Sequence, residues 1–119
     1  LRNDTVLDPF LGTGTTLLAS MASQRHSVGF ELDNSLRATI EKGCASIVDQ
    51  ANDYIGARLE RHAQFVADRE VKHRNRRYGF GVVSAQERDI KLNALSAVSA
   101  VGDDEYEVRY AAKKRCVKA

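Results

Sequence analysis

Cysteine is scarce: the 119 residues hold only Cys44 and Cys116. Two thiols so far apart have no zinc-type spacing and are too few for a disulfide-stapled scaffold. Three histidines do not change that, so no metal site is expected and a reduced, cytosolic compartment is the default. Long apolar runs are missing as well, which excludes a membrane-spanning helix, and no basic-then-apolar leader stands at the start. There is no internal repeat and no low-complexity tract. Neither sign of charge dominates: 18 Lys and Arg face 16 Asp and Glu, for a formal charge of +2. Taken whole, that balance does not demand a nucleic-acid partner. Proline is almost absent, with Pro9 the single example.

What is present suits a folded chain. Hydrophobic residues make up 43% of the sequence, enough to bury a core. The length fits one small domain or a portion of a larger one, and a chain this short is only modestly stable without a partner. A strand-like run follows Leu1 almost at once, so the chain is expected to be a fragment or to follow an upstream segment.

Thr5, Val6 and Leu7 form an apolar run that ends at Asp8-Pro9 and reads as a buried strand. A turn, Leu11-Gly12-Thr13-Gly14, precedes residues 15–23, where Leu17, Leu18 and Met21 fall at helical spacing. Residues 26–32 read as a second strand. Strand, glycine turn, helix and strand make the βαβ unit of a parallel sheet. Asp33, Asn34 or Ser35 caps a following helix, whose apolar positions run from Leu36 to Leu59. Gly43 and Gly56 leave open whether it is one helix or two. Residues 69–77 are densely charged. Tyr78-Gly79-Phe80-Gly81 then breaks any helix, residues 82–101 are ambiguous, with helical composition but only loose periodicity across 87–98, and residues 105–110 alternate as a strand with one wet face. The basic end, Lys113-Lys114-Arg115, is expected to fray. The expected division is 1–70, a cofactor-binding βαβ portion with its following helix, and 71–119, a basic segment and C-terminal extension.

The chemistry lies in residues 8–16, Asp-Pro-Phe-Leu-Gly-Thr-Gly-Thr-Thr. Glycines in a strand-to-helix turn let backbone approach a ligand with no Cβ in the way, and the helix N-terminus offers amide donors. Glu31, at the end of the second strand, is placed to accept both hydroxyls of a ribose. A nucleoside-containing ligand across the carboxyl ends of the strands is implied. The dinucleotide fingerprint fails because Leu17 stands where its third glycine is needed, and the P-loop fails because no Lys follows Gly14. An adenosine without a pyrophosphate fits better.

Asp8-Pro9-Phe10-x-Gly12-Thr13-Gly14-Thr15-Thr16 resembles the cofactor motif of the DNA methyltransferases that modify adenine N6 or cytosine N4, and Gly29-Phe30-Glu31-Leu32-Asp33 resembles the acidic motif that follows it there. The resemblance covers about the first forty residues. It implies an α/β, partial Rossmann-like S-adenosylmethionine-dependent methyltransferase fold with a helical and strand C-terminal extension. It implies S-adenosylmethionine as cofactor, DNA as substrate and a place in restriction-modification. Asp8 and Phe10 would border the methionine and adenine parts of the cofactor, Gly12, Thr13 and Gly14 would pass under it, and Glu31 would take the ribose. The family's catalytic loop is (Asp/Asn/Ser)-Pro-Pro-aromatic, and it is absent because Pro9 is already used. No catalytic residue is therefore assigned here, and the loop is expected on a missing N-terminal half or a partner subunit. The isolated chain is expected to be inactive. An RNA guanine-N2 methyltransferase, or a non-catalytic interaction protein keeping the fold, are the alternatives. In the basic stretch, Arg74, Arg76 and Arg77 beside Tyr78 and Phe80 suit phosphate contact and base stacking; a solvated helix end is the plainer explanation. Phe10 has the alternative of a core position, Asp33 that of a helix cap, and Cys44 reads as a small core residue.

Overall fold

The computed structural model describes residues 1–111; the basic end and Cys116 lie outside them. The parallel pair β1 (Thr5–Asp8) and β2 (His26–Gly29) is joined by α1 (Thr15–Ala22), with Thr5 opposite His26 and Asp8 opposite Gly29. This is the expected βαβ unit, except that β1, read as a buried strand, is partly exposed, with Leu7 at 66%, because only β2 pairs with it among the described residues. The backbone pairing runs one residue past β2, where Phe30 N–H donates to the Asp8 carbonyl at 2.9 Å. Helix α1 stops at Gln24, which adopts φ 56. Its neighbour Arg25 N–H reaches back to the Ser20 carbonyl at 2.9 Å. That pattern satisfies the last carbonyls of the helix and is usually built on glycine.

A turn of 3-10 helix (Asn34–Leu36), capped by the Asp33 side chain on Ser35 N–H, leads into α2 (Arg37–Ala67). Helix α2 is continuous over 31 residues, which at about 1.5 Å per residue accounts for most of the 52 Å long axis of the molecule. Neither glycine breaks it. Gly43 has a packing reason, since a Cβ there would sit 3.0 Å from Leu18 Cδ1 on α1. The buried face of α2 is Cys44, Ile47, Ala51, Ile55, Leu59 and Val66, at three-, four- and seven-residue steps.

Beyond α2 come a short antiparallel pair, β3 (His73–Arg74) and β4 (Gly81–Val82), a 3-10 turn (Ala85–Asp89), and the hairpin β5 (Ala94–Gly102) and β6 (Glu105–Ala111). The strand expected at residues 105–110 is β6. Residues 87–98, ambiguous in sequence but helical in composition, do not form an α-helix. A capping box between Ser84 and Glu87 starts a helical turn, but tertiary bonds end it. Buried Asn75 donates to the carbonyls of Glu87 and Ile90, at 2.8 and 2.9 Å. Asn52 of α2 then pairs with both the N–H and the carbonyl of Leu95, at 2.8 and 2.9 Å, acting as a strand partner and holding β5 extended.

Among the described residues two clusters make the core, both on α2. Met21, Cys44, Ile47, Ala51 and Leu95 gather at its first half, with Val98, Tyr106 and Tyr110 of the hairpin against them. Ile55, Leu59 and Tyr78 gather at its second half, with Phe80 and Leu92. Cys44 is thus the core residue expected of it, and burial pushes its thiol pKa up. Among the described residues no helix is long and apolar enough to cross a membrane.

Candidate functional site

The site is the junction between the carboxyl ends of β1 and β2. Asp8 ends β1, and its carboxylate accepts the Phe10 N–H at 3.0 Å. A hydrogen bond from the Thr16 hydroxyl and that amide hold its pKa below the usual carboxylate range. The chain then crosses toward β2, where Leu11 N–H donates to the Phe30 carbonyl at 2.9 Å. Gly29 makes this crossing possible, because a Cβ there would lie 2.7 Å from Leu11 Cδ1. Nothing in the sequence pattern marks Gly29 for that packing role.

Gly12 and Gly14 adopt φ 56 and 88, in the left-handed region that glycine enters without a Cβ penalty. The reasons for the two differ. A Cβ on Gly14 would press on Ile40 Cγ1 of α2 at 3.3 Å, whereas one on Gly12 would meet only the Phe10 carbonyl oxygen, at 3.9 Å. Gly14 therefore serves packing as well as the turn, and Gly12 leaves an open surface. Gly14 is also the N-cap of α1, with no side chain capping the first amides.

Glu31 closes the arrangement. One carboxylate oxygen accepts Gly12 N–H and the other accepts Asp33 N–H, each at 2.8 Å. These two amides, Asp33 first, hold its pKa below the usual glutamate value, so the group is ionised at neutral pH. A carboxylate offers about four lone-pair positions, which leaves capacity on both oxygens for further donors.

Six residues were expected to hold a cofactor. Asp8 is bonded to Phe10 and Gly12 to Glu31, Gly14 N–H donates to the Leu11 carbonyl at 3.0 Å, and Thr13 lies exposed in the same turn. Phe10 is 86% exposed, so it is not part of the core formed by the described residues. Asp33 is a helix cap, the plainer of its two roles. A groove of about 850 Å³ runs along the outer edge of β2 toward β6, and its walls include Leu11, Phe30, Glu31 and Asn34. Glu31 alone of the six lines it; the glycine turn stands at its end.

The basic residues are placed elsewhere. The Arg2 guanidinium bonds the Lys91 carbonyl, and Asn93 Nδ2 donates to Gln24 Oε1 at 2.7 Å. The segment after β4 is thereby fixed to the amino ends of β1 and β2, opposite the glycine turn. Arg74 donates to the Gly79 carbonyl at 2.9 Å, Arg76 pairs with Asp89 at 3.2 Å, and Arg77 donates to Asn93 Oδ1 at 2.5 Å. Tyr78 is only 7% exposed, and its hydroxyl is bonded to the backbone of Leu92. It stacks on Phe80 at 5.4 Å inside the second cluster. The base stacking expected of this pair has no free ring face on Tyr78 to use.

Known proteins resemble the stretch that contains this turn. Residues 1–42 match the family model described as DNA methylase. The chain is 34% identical over 110 residues to the type II methyltransferase M.MthZI of Methanothermobacter thermautotrophicus, covering 92% of this chain and 31% of that protein. It is 59% identical over 39 residues to the type II methyltransferase M.MjaI of Methanocaldococcus jannaschii, covering 33% of this chain and 13% of that protein. The chain thus spans at most about a third of the relatives it matches. No solved structure matches.

Proposed function

We infer that this chain, whose residues 1–42 match the family model described as DNA methylase, is the S-adenosylmethionine-binding part of a site-specific DNA methyltransferase acting on adenine N6 or cytosine N4. The observation that carries this is the bond between Gly12 N–H and Glu31. It holds an ionised carboxylate against a glycine turn whose outer surface is open, which suits a ribose lying beside backbone. Asp8, Phe10, Thr13 and Gly14 complete the cradle: Asp8 and the turn line the amino-acid end, and the exposed Phe10 ring supplies apolar surface for the adenosine. When bound, the cofactor supplies an electrophilic methyl group. What this chain does is hold it: Glu31 accepts the ribose hydroxyls, the Gly12 backbone allows close approach, and the uncapped first turn of α1 presents amide donors.

The βαβ unit is, in this reading, a portion of a Rossmann-like sheet. Leu7 and Val28 sit side by side in the ladder, yet are 66% and 49% exposed. Parallel sheets are normally covered on both faces. A further portion of the methyltransferase, carrying the Pro-Pro-aromatic loop, would cover them. DNA is the substrate, with phosphate contacts at the exposed Arg74 and Arg76 and at Arg77. The family model is that of a DNA methylase, which favours DNA over the RNA alternative. Titration calorimetry with S-adenosylmethionine tests the reading directly, and a chain that takes up no cofactor overturns it.

A further inference from the structure

The second half of α2 carries a feature unrelated to the cofactor turn. Tyr54, Arg58, Arg61 and Phe65 follow one another at steps of four, three and four residues. At 3.6 residues per turn they share one stripe, roughly 60° wide. All four are exposed, Tyr54 by 58% and Phe65 by 49%. Arg69, just past the helix end, extends the stripe by laying its guanidinium over the Phe65 ring at 4.1 Å. The helix has acids, but Asp49, Asp53 and Glu60 fall on another flank, roughly 130° further round.

Arg58 and Arg61 have no acid three or four positions away on the helix. Their neighbours three and four positions away are Tyr54, Ile55 and His62 for Arg58, and Ala57, Gln64 and Phe65 for Arg61, besides each other. Two like charges at that spacing repel, where an acid would have stabilised the helix. Neither forms a hydrogen bond or an ion pair among the described residues. Arg74, Arg76 and Arg77, by contrast, all have protein partners. Arg58 and Arg61, close together on one helix face with no ion pair and interleaved with exposed aromatics, match a regularly spaced polyanion.

We propose that Tyr54, Arg58, Arg61, Phe65 and Arg69 form a contact surface for the phosphodiester backbone of duplex DNA. The arginines neutralise phosphates. The Tyr54 hydroxyl donates to a phosphate oxygen, and Phe65 holds the Arg69 guanidinium in place through its ring face. The stripe begins about 25 Å along α2 from its start beside Glu31, so it touches DNA flanking the target and not the reacting base. This rests on the DNA reading above and places a further anchor outside the methyl-donor site.

The test is fluorescence anisotropy with a labelled duplex of mixed sequence, the full chain, and a series of salt concentrations. R58Q/R61Q/R69Q keeps good helix formers and removes the charges. Its slope of log affinity against log salt is expected to fall by roughly 2–3, at about 0.9 for each phosphate left without its arginine. R58K/R61K/R69K should stay near wild type because the charge remains, and it serves if the glutamine variant does not fold. Cofactor titration on each variant should match wild type. An unchanged slope in the glutamine variant, a lysine variant as weak as the glutamine one, or a wild-type chain that ignores duplex DNA at low salt overturns the proposal. None of these outcomes touches cofactor binding, so the two readings fail separately.

Discussion

Glu31 accepts the backbone N–H of Gly12 at 2.8 Å, so the acid just past the second strand also holds the glycine turn that follows the first. Removing it therefore does two things at once. Glu31→Ala should weaken S-adenosylmethionine by about ten- to a hundredfold, the scale of a hydrogen bond to a charged group. Calorimetry on both proteins checks this. Equal affinities would show that the ribose lies elsewhere.

The two glycines of the turn should separate. Gly12→Ala forces a Cβ into a left-handed conformation but into open space, at a cost of about 1–2 kcal/mol. Gly14→Ala carries the same cost and also presses on Ile40, so its melting temperature should fall further. For cofactor the order reverses: Gly12→Val should abolish binding, because its side chain enters the open surface. Thermal melts and calorimetry on the set decide it, and undiminished binding by Gly12→Val would remove the turn from beneath the ligand.

Acid should act through the same carboxylates. Asp8, Glu31 and Asp33 are each held below their ordinary pKa by hydrogen bonds from backbone or hydroxyl donors. A depressed pKa in the folded state stabilises fully above the unfolded value, and that stability is lost as pH falls through the folded one. Stability and cofactor affinity should thus be flat from neutral pH down to the ordinary carboxylate range and decline only below it. Glu31→Gln should flatten part of that decline in a pH series of melts. A loss of stability between about pH 7 and 5, above the carboxylate range, would point to some other group.

Asn75 is expected to matter more than any arginine around it. It is 3% exposed, gives its amide hydrogens to the Glu87 and Ile90 carbonyls, and accepts Arg77 and Tyr78 N–H. Asn75→Ala strands those backbone groups and should cost about 2–4 kcal/mol in urea unfolding. A change under about 0.5 kcal/mol, the size of an ordinary surface substitution, would mean that the loop is held by other bonds.

The isolated chain should bind cofactor and transfer no methyl group to DNA. A base amine is a poor nucleophile and must be held in line with the methyl group while acceptors take its hydrogens. The Pro-Pro-aromatic loop does this in the family, and the single proline here, Pro9, lies between β1 and the glycine turn. Tritiated methyl incorporation into mixed-sequence DNA measures it, first with the chain alone and then with a protein that carries the missing loop. Incorporation by the chain alone would mean that its own residues are catalytic.

The amino acids alone determined β1, the glycine turn, α1, β2 and the position of Glu31. Every bond that builds this junction spans some twenty residues or fewer, and left-handed glycines, apolar periodicity and helix caps are local properties. They also determined the apolar face of α2. Tertiary structure decided the rest. It made residues 94–102 a strand, because Asn52 and β6 supply hydrogen-bond partners that outweigh helical composition. It kept α2 whole through Gly43, whose missing side chain admits Leu18. It buried Tyr78 and engaged Arg74, Arg76 and Arg77, while leaving Tyr54, Arg58, Arg61 and Phe65 in solvent. Composition shows that cations and aromatics are near one another along the chain. Which of them face outward without a partner depends on what packs against what, and that is set by contacts between residues far apart in sequence.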